Sequence, residues 1–76
     1  MATIKQRRGQ LAATAAQMER TAETSHDLQD RQAAALIASI MRKMIAVYDS
    51  MIDGTAADDA AARLKDLEAE LTAAKK

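Results

Sequence analysis

The chain has 76 residues, no Cys, no Pro, and 11 basic residues that balance 11 acidic ones. The absence of Cys excludes a disulfide framework, a thiolate metal site and a cysteine nucleophile, and zero net charge provides no general attraction to nucleic acid. A chain of this length forms one small domain with a thin core. Abundant Ala, with one aromatic residue, favours helices over a sheet.

We therefore predict an all-α fold in a single small domain over residues 1–76. The architecture is a short helical hairpin or a three-helix bundle with coiled-coil-like seams, completed by oligomerisation or by a partner.

The first predicted helix covers residues 3–24. Its larger apolar residues recur every seven positions, at Ile4, Leu11 and Met18. Large residues seven positions apart, with small residues between them, form a narrow apolar stripe that can pack against one neighbouring helix.

A polar stretch, Thr24 to Gln32, separates the first helix from the second. The apolar seam changes phase there, which predicts a break with Thr24 or Ser25 as the cap of the next helix. One long helix through residue 53, with a local shift of the seam, is the alternative.

The second predicted helix covers residues 27–53 and has an unusually broad apolar face. Its ten large apolar residues from Leu36 to Ile52 spread over roughly half the circumference at 100° per residue. They are Leu36, Ile37, Ile40, Met41, Met44, Ile45, Val47, Tyr48, Met51 and Ile52. Gly54 follows, and Gly is the residue that best terminates a helix in the left-handed conformation.

The third predicted helix covers residues 56–75. Thr55 and Asp58 have the spacing of a reciprocal N-terminal cap, so the helix should start at about Ala56. Its seam of Ala and Leu residues is again narrow.

The outer helices provide few large side chains to cover the middle one. Six large seam residues, Ile4, Leu11, Met18, Leu64, Leu67 and Leu71, face ten on the middle helix. If half of those ten stayed exposed, the loss would be on the order of 10 kcal/mol. We therefore expect self-association or a docked protein partner. The predicted protein-binding residues are Ile37, Ile40, Met41, Met44, Val47, Tyr48 and Met51.

A basic cluster gives the alternative interpretation, a helical-hairpin dimer that binds nucleic acid through its N-terminal helix. The candidate phosphate contacts are Lys5, Arg7, Arg8, Arg42 and Lys43. Zero net charge and the lack of aromatic residues to stack on bases disfavour it.

Catalytic chemistry has little support in this sequence. There is no Gly-rich phosphate loop and no Ser with a plausible base, so we expect no enzyme, no small-molecule substrate and no cofactor. Glu23 and His26 have the Glu-x-x-His spacing of di-iron bundles, but they lie in the most polar segment, so we predict no metal site. Charged residues interrupt the longest apolar stretch, which argues against a membrane span and favours a cytoplasmic protein.

The sequence thus predicts a non-catalytic module for protein-protein interaction that binds through the apolar face of the middle helix. An assembly co-chaperone, an adaptor, a regulatory inhibitor and a bacterial, phage or plasmid accessory protein would all fit this description.

Overall fold

A computed structural model describes residues 3–75 and contains three helices, α1 (Ile4–Thr24), α2 (Leu28–Asp53) and α3 (Ala60–Ala74). The all-α prediction is confirmed, and the described part of the chain is a small three-helix bundle rather than a two-helix hairpin. The molecule is 41 Å long. This is close to the roughly 39 Å that the 26 residues of α2 span at about 1.5 Å per residue.

The start of α1 is held by a capping box. The Gln6 amide donates to Thr3 Oγ1 (3.1 Å), and the Thr3 amide donates to Gln6 Oε1 (2.9 Å). Two amide donors that the helix itself leaves unpaired are satisfied in this way.

The break between α1 and α2 lies at residues 25–27, and the N-cap of α2 is Asp27. The predicted cap at Thr24 or Ser25 was therefore wrong. Thr24 ends α1, where its hydroxyl donates to the Arg20 carbonyl, whereas Asp27 Oδ1 accepts from the Gln29 amide at 2.8 Å. A carboxylate is favoured at this position because the amide dipoles make a helix N-terminus positive.

The end of α2 is a Schellman motif centred on Gly54. Gly54 has a φ of 75°. Its amide donates to the Met51 carbonyl (3.3 Å), and the Thr55 amide donates to the Ser50 carbonyl (2.8 Å). These two bonds satisfy carbonyl groups that the last turn of a helix leaves free.

The predicted start of α3 near Ala56, with Thr55 and Asp58 as its cap, was wrong. The helix begins at Ala60, after Asp59. Thr55 is used instead to end α2, because both its amide and its hydroxyl donate to the Ser50 carbonyl. The result is a linker of residues 54–59 between α2 and α3.

The core lies along α2, which is central. Both α1 and α3 pack against it, and within residues 3–75 the backbones of α1 and α3 do not approach each other closely. On the side of α1, Ala15 packs with Met41 and Ile45. On the side of α3, Leu64 packs with a second group of buried α2 residues, Ile40, Met44 and Tyr48.

The expected shortage of cover for α2 is not observed. Of the ten large apolar residues from Leu36 to Ile52, two are exposed, Leu36 at 54% and Ile52 at 36%. Leu28, at the first position of α2, is also exposed (64%). The count of large seam residues was misleading because alanines of the outer helices also cover α2: Ala15 of α1 is 0% exposed, and Ala60 of α3 is buried. On α2 itself, Ala34 and Ala38 are buried as well. Small side chains let helix axes approach closely, so burial of α2 does not require a second molecule. The oligomeric state stays a prediction.

Candidate functional site

The predicted protein-binding residues fall into two groups in the structure. Ile37, Val47 and Met51 are half-buried. The remaining four are 3 to 5% exposed and belong to the core: Ile40, Met41, Met44 and Tyr48. The broad exposed face expected from the sequence is therefore a core in the folded chain, and only its edges reach the surface.

One edge forms an apolar groove between α2 and α3, here called the α2–α3 groove. It has two sections, of about 590 Å³ and 410 Å³, that meet at Lys43. The α2 wall consists of Leu36, Ser39, Ile40, Lys43, Ala46, Val47 and Ser50. The α3 wall consists of Arg63, Asp66, Leu67, Glu70, Ala73 and Ala74. From residue 36 to residue 50 the groove runs for roughly 21 Å along α2.

The chemistry of this groove resembles that of a protein interface. Its apolar surface comes from Leu36, Val47, Leu67 and small alanines, and its charged groups are two cations and two anions: Lys43, Arg63, Asp66 and Glu70. An apolar centre with a polar edge is the usual arrangement where two proteins meet.

A second groove, of about 380 Å³, lies between α1 and α3. Its walls are more polar, with Arg7, Gln10 and Thr14 from α1. Its floor includes Met41, Met44 and Tyr48, which are almost completely buried. A ligand here would find little apolar surface to cover, so this groove is the weaker candidate.

The five candidate phosphate-binding residues lie in different parts of the structure. Arg7 lies in the groove between α1 and α3, Lys43 lies in the α2–α3 groove, and Lys5 is exposed on the first turn of α1. Arg8 Nε donates to Asp49 Oδ1 at 2.9 Å.

Arg42 donates two hydrogen bonds to the Glu19 carboxylate, at 2.6 and 3.3 Å. The hydrogen bond from Arg42 lowers the pKa of Glu19, and the same bond raises the pKa of Arg42. Two of the five cations, Arg8 and Arg42, are thus paired with carboxylates of this chain.

The Glu-x-x-His spacing does not lie on one helix, because α1 ends at Thr24 and His26 is an exposed residue of the following turn. Residues 3–75 contain no cluster of three or more His, Asp or Glu side chains that could hold a metal ion. None of the helices in this range is long and apolar enough to cross a membrane.

The α3 wall of the groove was missed by the sequence analysis. Leu67 and Ala74 were assigned to an internal seam, Lys43 was assigned to a nucleic-acid surface, and Ala46, Ala73, Asp66 and Glu70 were not singled out. The only signal in the sequence was the position of Leu36 and Val47 at the border of the apolar arc of α2.

Comparison of the chain with known protein families, curated proteins and solved structures finds no match.

Proposed function

We propose that this protein is a non-catalytic interaction module that binds an amphipathic helix of a partner protein in the α2–α3 groove. The observation that supports this function is the groove itself, which joins apolar side chains of two helices into one elongated surface bordered by charges.

The dimensions suit a helical ligand. A length of roughly 21 Å corresponds to about four helical turns. A helix laid into such a groove presents residues spaced three or four apart to the apolar floor. Leu36 and Val47 are too far apart on α2 for one side chain to cover both, so an elongated ligand fits better than a compact one.

The charges favour one orientation of the ligand. Lys43 and Arg63 border the section nearer the linker, with Asp66 beside them, while Glu70 borders the other section. A ligand helix with acidic residues near Lys43 and Arg63, and a basic residue near Glu70, would be complementary. Such pairs at the edge of an interface contribute more to specificity and association rate than to affinity.

Substitutions at exposed alanines test the site without disturbing the core. Ala46 is exposed and lines the groove, and Ala73 is exposed at its other section. Ala13 is an exposed residue of α1 that lines neither groove. We expect Ala46→Glu and Ala73→Glu to abolish partner binding, because each would place a charge against the apolar face of the ligand. The matched control Ala13→Glu should bind normally.

The measurement is affinity capture of the tagged protein from its native cell, quantified by mass spectrometry, after circular dichroism has shown that all variants keep the helical content of the original chain. A protein captured by the original chain and by Ala13→Glu, but lost with Ala46→Glu and Ala73→Glu, would support the proposal. If no captured protein depends on Ala46 or Ala73, the groove is not the binding site.

A further inference from the structure

The third helix is attached to the rest of the fold differently from the first. Polar links join α1 and α2 along their length: Arg8 bonds to Asp49, Arg42 to Glu19, and Arg31 to the Ala22 carbonyl. Within residues 3–75, by contrast, the hydrogen bonds and ion pairs of α3 stay inside the helix or reach only the linker before it.

The attachment of α3 to α2 is therefore apolar. Leu64 is buried against Ile40, Met44 and Tyr48, and Leu67, Leu71 and Ala74 pack around that group. Ala60, also buried, lies one turn before Leu64. The α3 contacts follow a repeat of four and three residues, at positions 60, 64, 67, 71 and 74. Within residues 3–75 no polar bond joins α3 to α2. Another helix with apolar residues at this spacing could therefore pack on the same surface of α2.

The end of α2 is complete without α3. Gly54 and Thr55 satisfy the last turn of α2 through the Met51 and Ser50 carbonyls, and these bonds do not involve any residue of α3. Departure of α3 would thus break no hydrogen bond of the α1–α2 pair. Its cost is the exposure of the apolar surface that Leu64, Leu67 and Leu71 cover.

We propose that α3 is a displaceable cover. It occupies a helix-binding surface on α2, formed by Ile40, Met44 and Tyr48, and an amphipathic helix with the apolar spacing of α3 takes its place. This inference rests on the proposed function only in that the ligand is an amphipathic helix. The two binding modes differ: in the groove the ligand lies beside α3, whereas after displacement it occupies the position of α3 on α2.

A synthetic peptide with the sequence of residues 58–75 tests this exchange in the full-length chain. In the original chain, α3 outcompetes a free peptide because its covalent tether gives it a high effective concentration. The peptide is therefore tested on a chain that carries Leu64→Ala, which weakens the contacts of the tethered α3. Truncating a buried Leu to Ala should raise the ratio of open to closed α3 at least about 30-fold. Amides of α3 should then exchange with solvent about 30-fold faster or more, because a detached helix of 15 residues is unstable in water.

We expect the peptide to cause saturable shifts in the amide resonances of residues 40–48 of the labelled Leu64→Ala chain, and to move the resonances of its own α3 to unpacked positions. A control peptide with Leu64→Asp and Leu71→Asp should have no effect. A control chain with Ala38→Gly, which loosens α2 at a buried position beside the α1 residues Glu19 and Ala22, should bind the peptide no better than the original chain.

The proposal would be overturned if the peptide gave no saturable shift at millimolar concentration. It would also be overturned if Leu64→Ala accelerated exchange equally in all three helices, since α3 would then open only with the whole fold, or if Leu64→Ala left the chain unfolded. None of these outcomes depends on the partner protein. If Ala46→Glu abolished capture of the partner protein but the peptide caused no shifts, the proposed function of the groove would stand. The displacement of α3 would be rejected.

Discussion

Replacing Ala15 by Leu should separate α1 from α2 and destabilise the fold. Ala15 is 0% exposed and packs against Met41 and Ile45, so three additional carbon atoms have no space unless the helices move apart. Inserting such bulk into a packed interior costs about 1–3 kcal/mol. A domain of this size is stable by roughly 4–11 kcal/mol, and its melting temperature falls by about 4–8 °C for each kcal/mol lost.

Ala13→Leu is the matched control, because Ala13 lies on the same helix and is exposed. Its effect should stay within about 0.5 kcal/mol. Urea denaturation followed by circular dichroism gives both free energies of unfolding. Equal values for Ala15→Leu and Ala13→Leu would refute the conclusion that close packing at alanine covers α2. The apolar face of α2 would then need a cover other than α1.

Three further outcomes can be checked by similar measurements. Gly54→Ala should lower the free energy of unfolding by about 1–2 kcal/mol because Gly54 has a φ of 75°. Gly9→Ala, inside α1 with open space around its Cα, should raise that free energy by about 0.5–1 kcal/mol, and effects of the same sign would contradict this. Asp27→Ala should cost about 1 kcal/mol by removing the α2 cap, and Asp27→Asn, which keeps the acceptor oxygen, should cost little. Arg42→Gln should return the lowered pKa of Glu19 towards its ordinary value in an NMR titration, and an unchanged pKa would exclude Arg42 as the cause.

The sign of the pH dependence at Glu19 follows from the direction of its pKa shift. A carboxyl group whose pKa is lowered in the folded state stabilises the fold above its ordinary pKa, and that contribution is lost as the pH falls through the lowered value. The Arg42→Gln variant should therefore show a weaker loss of stability on acidification than the original chain. Because both side chains are well exposed, the difference should be small and should decrease further in high salt.

A protein built in this way would have two levels of stability. Within residues 3–75, α1 packs against α2 more extensively than α3 does, and α3 has no polar link to α2. Segments with a low local density of contacts open at lower free energy than the rest of a fold. For the helical ligand that we propose, α3 would therefore be the helix that costs the least free energy to detach. It is also one wall of the α2–α3 groove.

Local features of the chain were sufficient to predict the helices. The 3.6-residue period from Leu36 to Ile52 indicated the amphipathic middle helix, and Gly54 indicated its end, because helix period and left-handed termination depend on neighbouring residues only. The choice of Asp27 over Ser25 as a cap, and the later start of α3, were not predictable in this way. Several adjacent polar residues could serve as caps, and the path of the chain selects among them.

Which side of α2 is covered, and by what, depends on contacts between residues distant in the sequence. The period placed Ile40, Met44 and Tyr48 on an apolar face but could not reveal that Ala15 allows α1 to approach α2 closely, or that Leu64 of α3 closes the core. The pairing of Arg8 with Asp49 and of Arg42 with Glu19 is equally nonlocal. The chain thus encodes its helices through short-range periodicity. The distances between helix axes are set by packing across the whole bundle, and they determine which apolar and charged side chains stay at the surface.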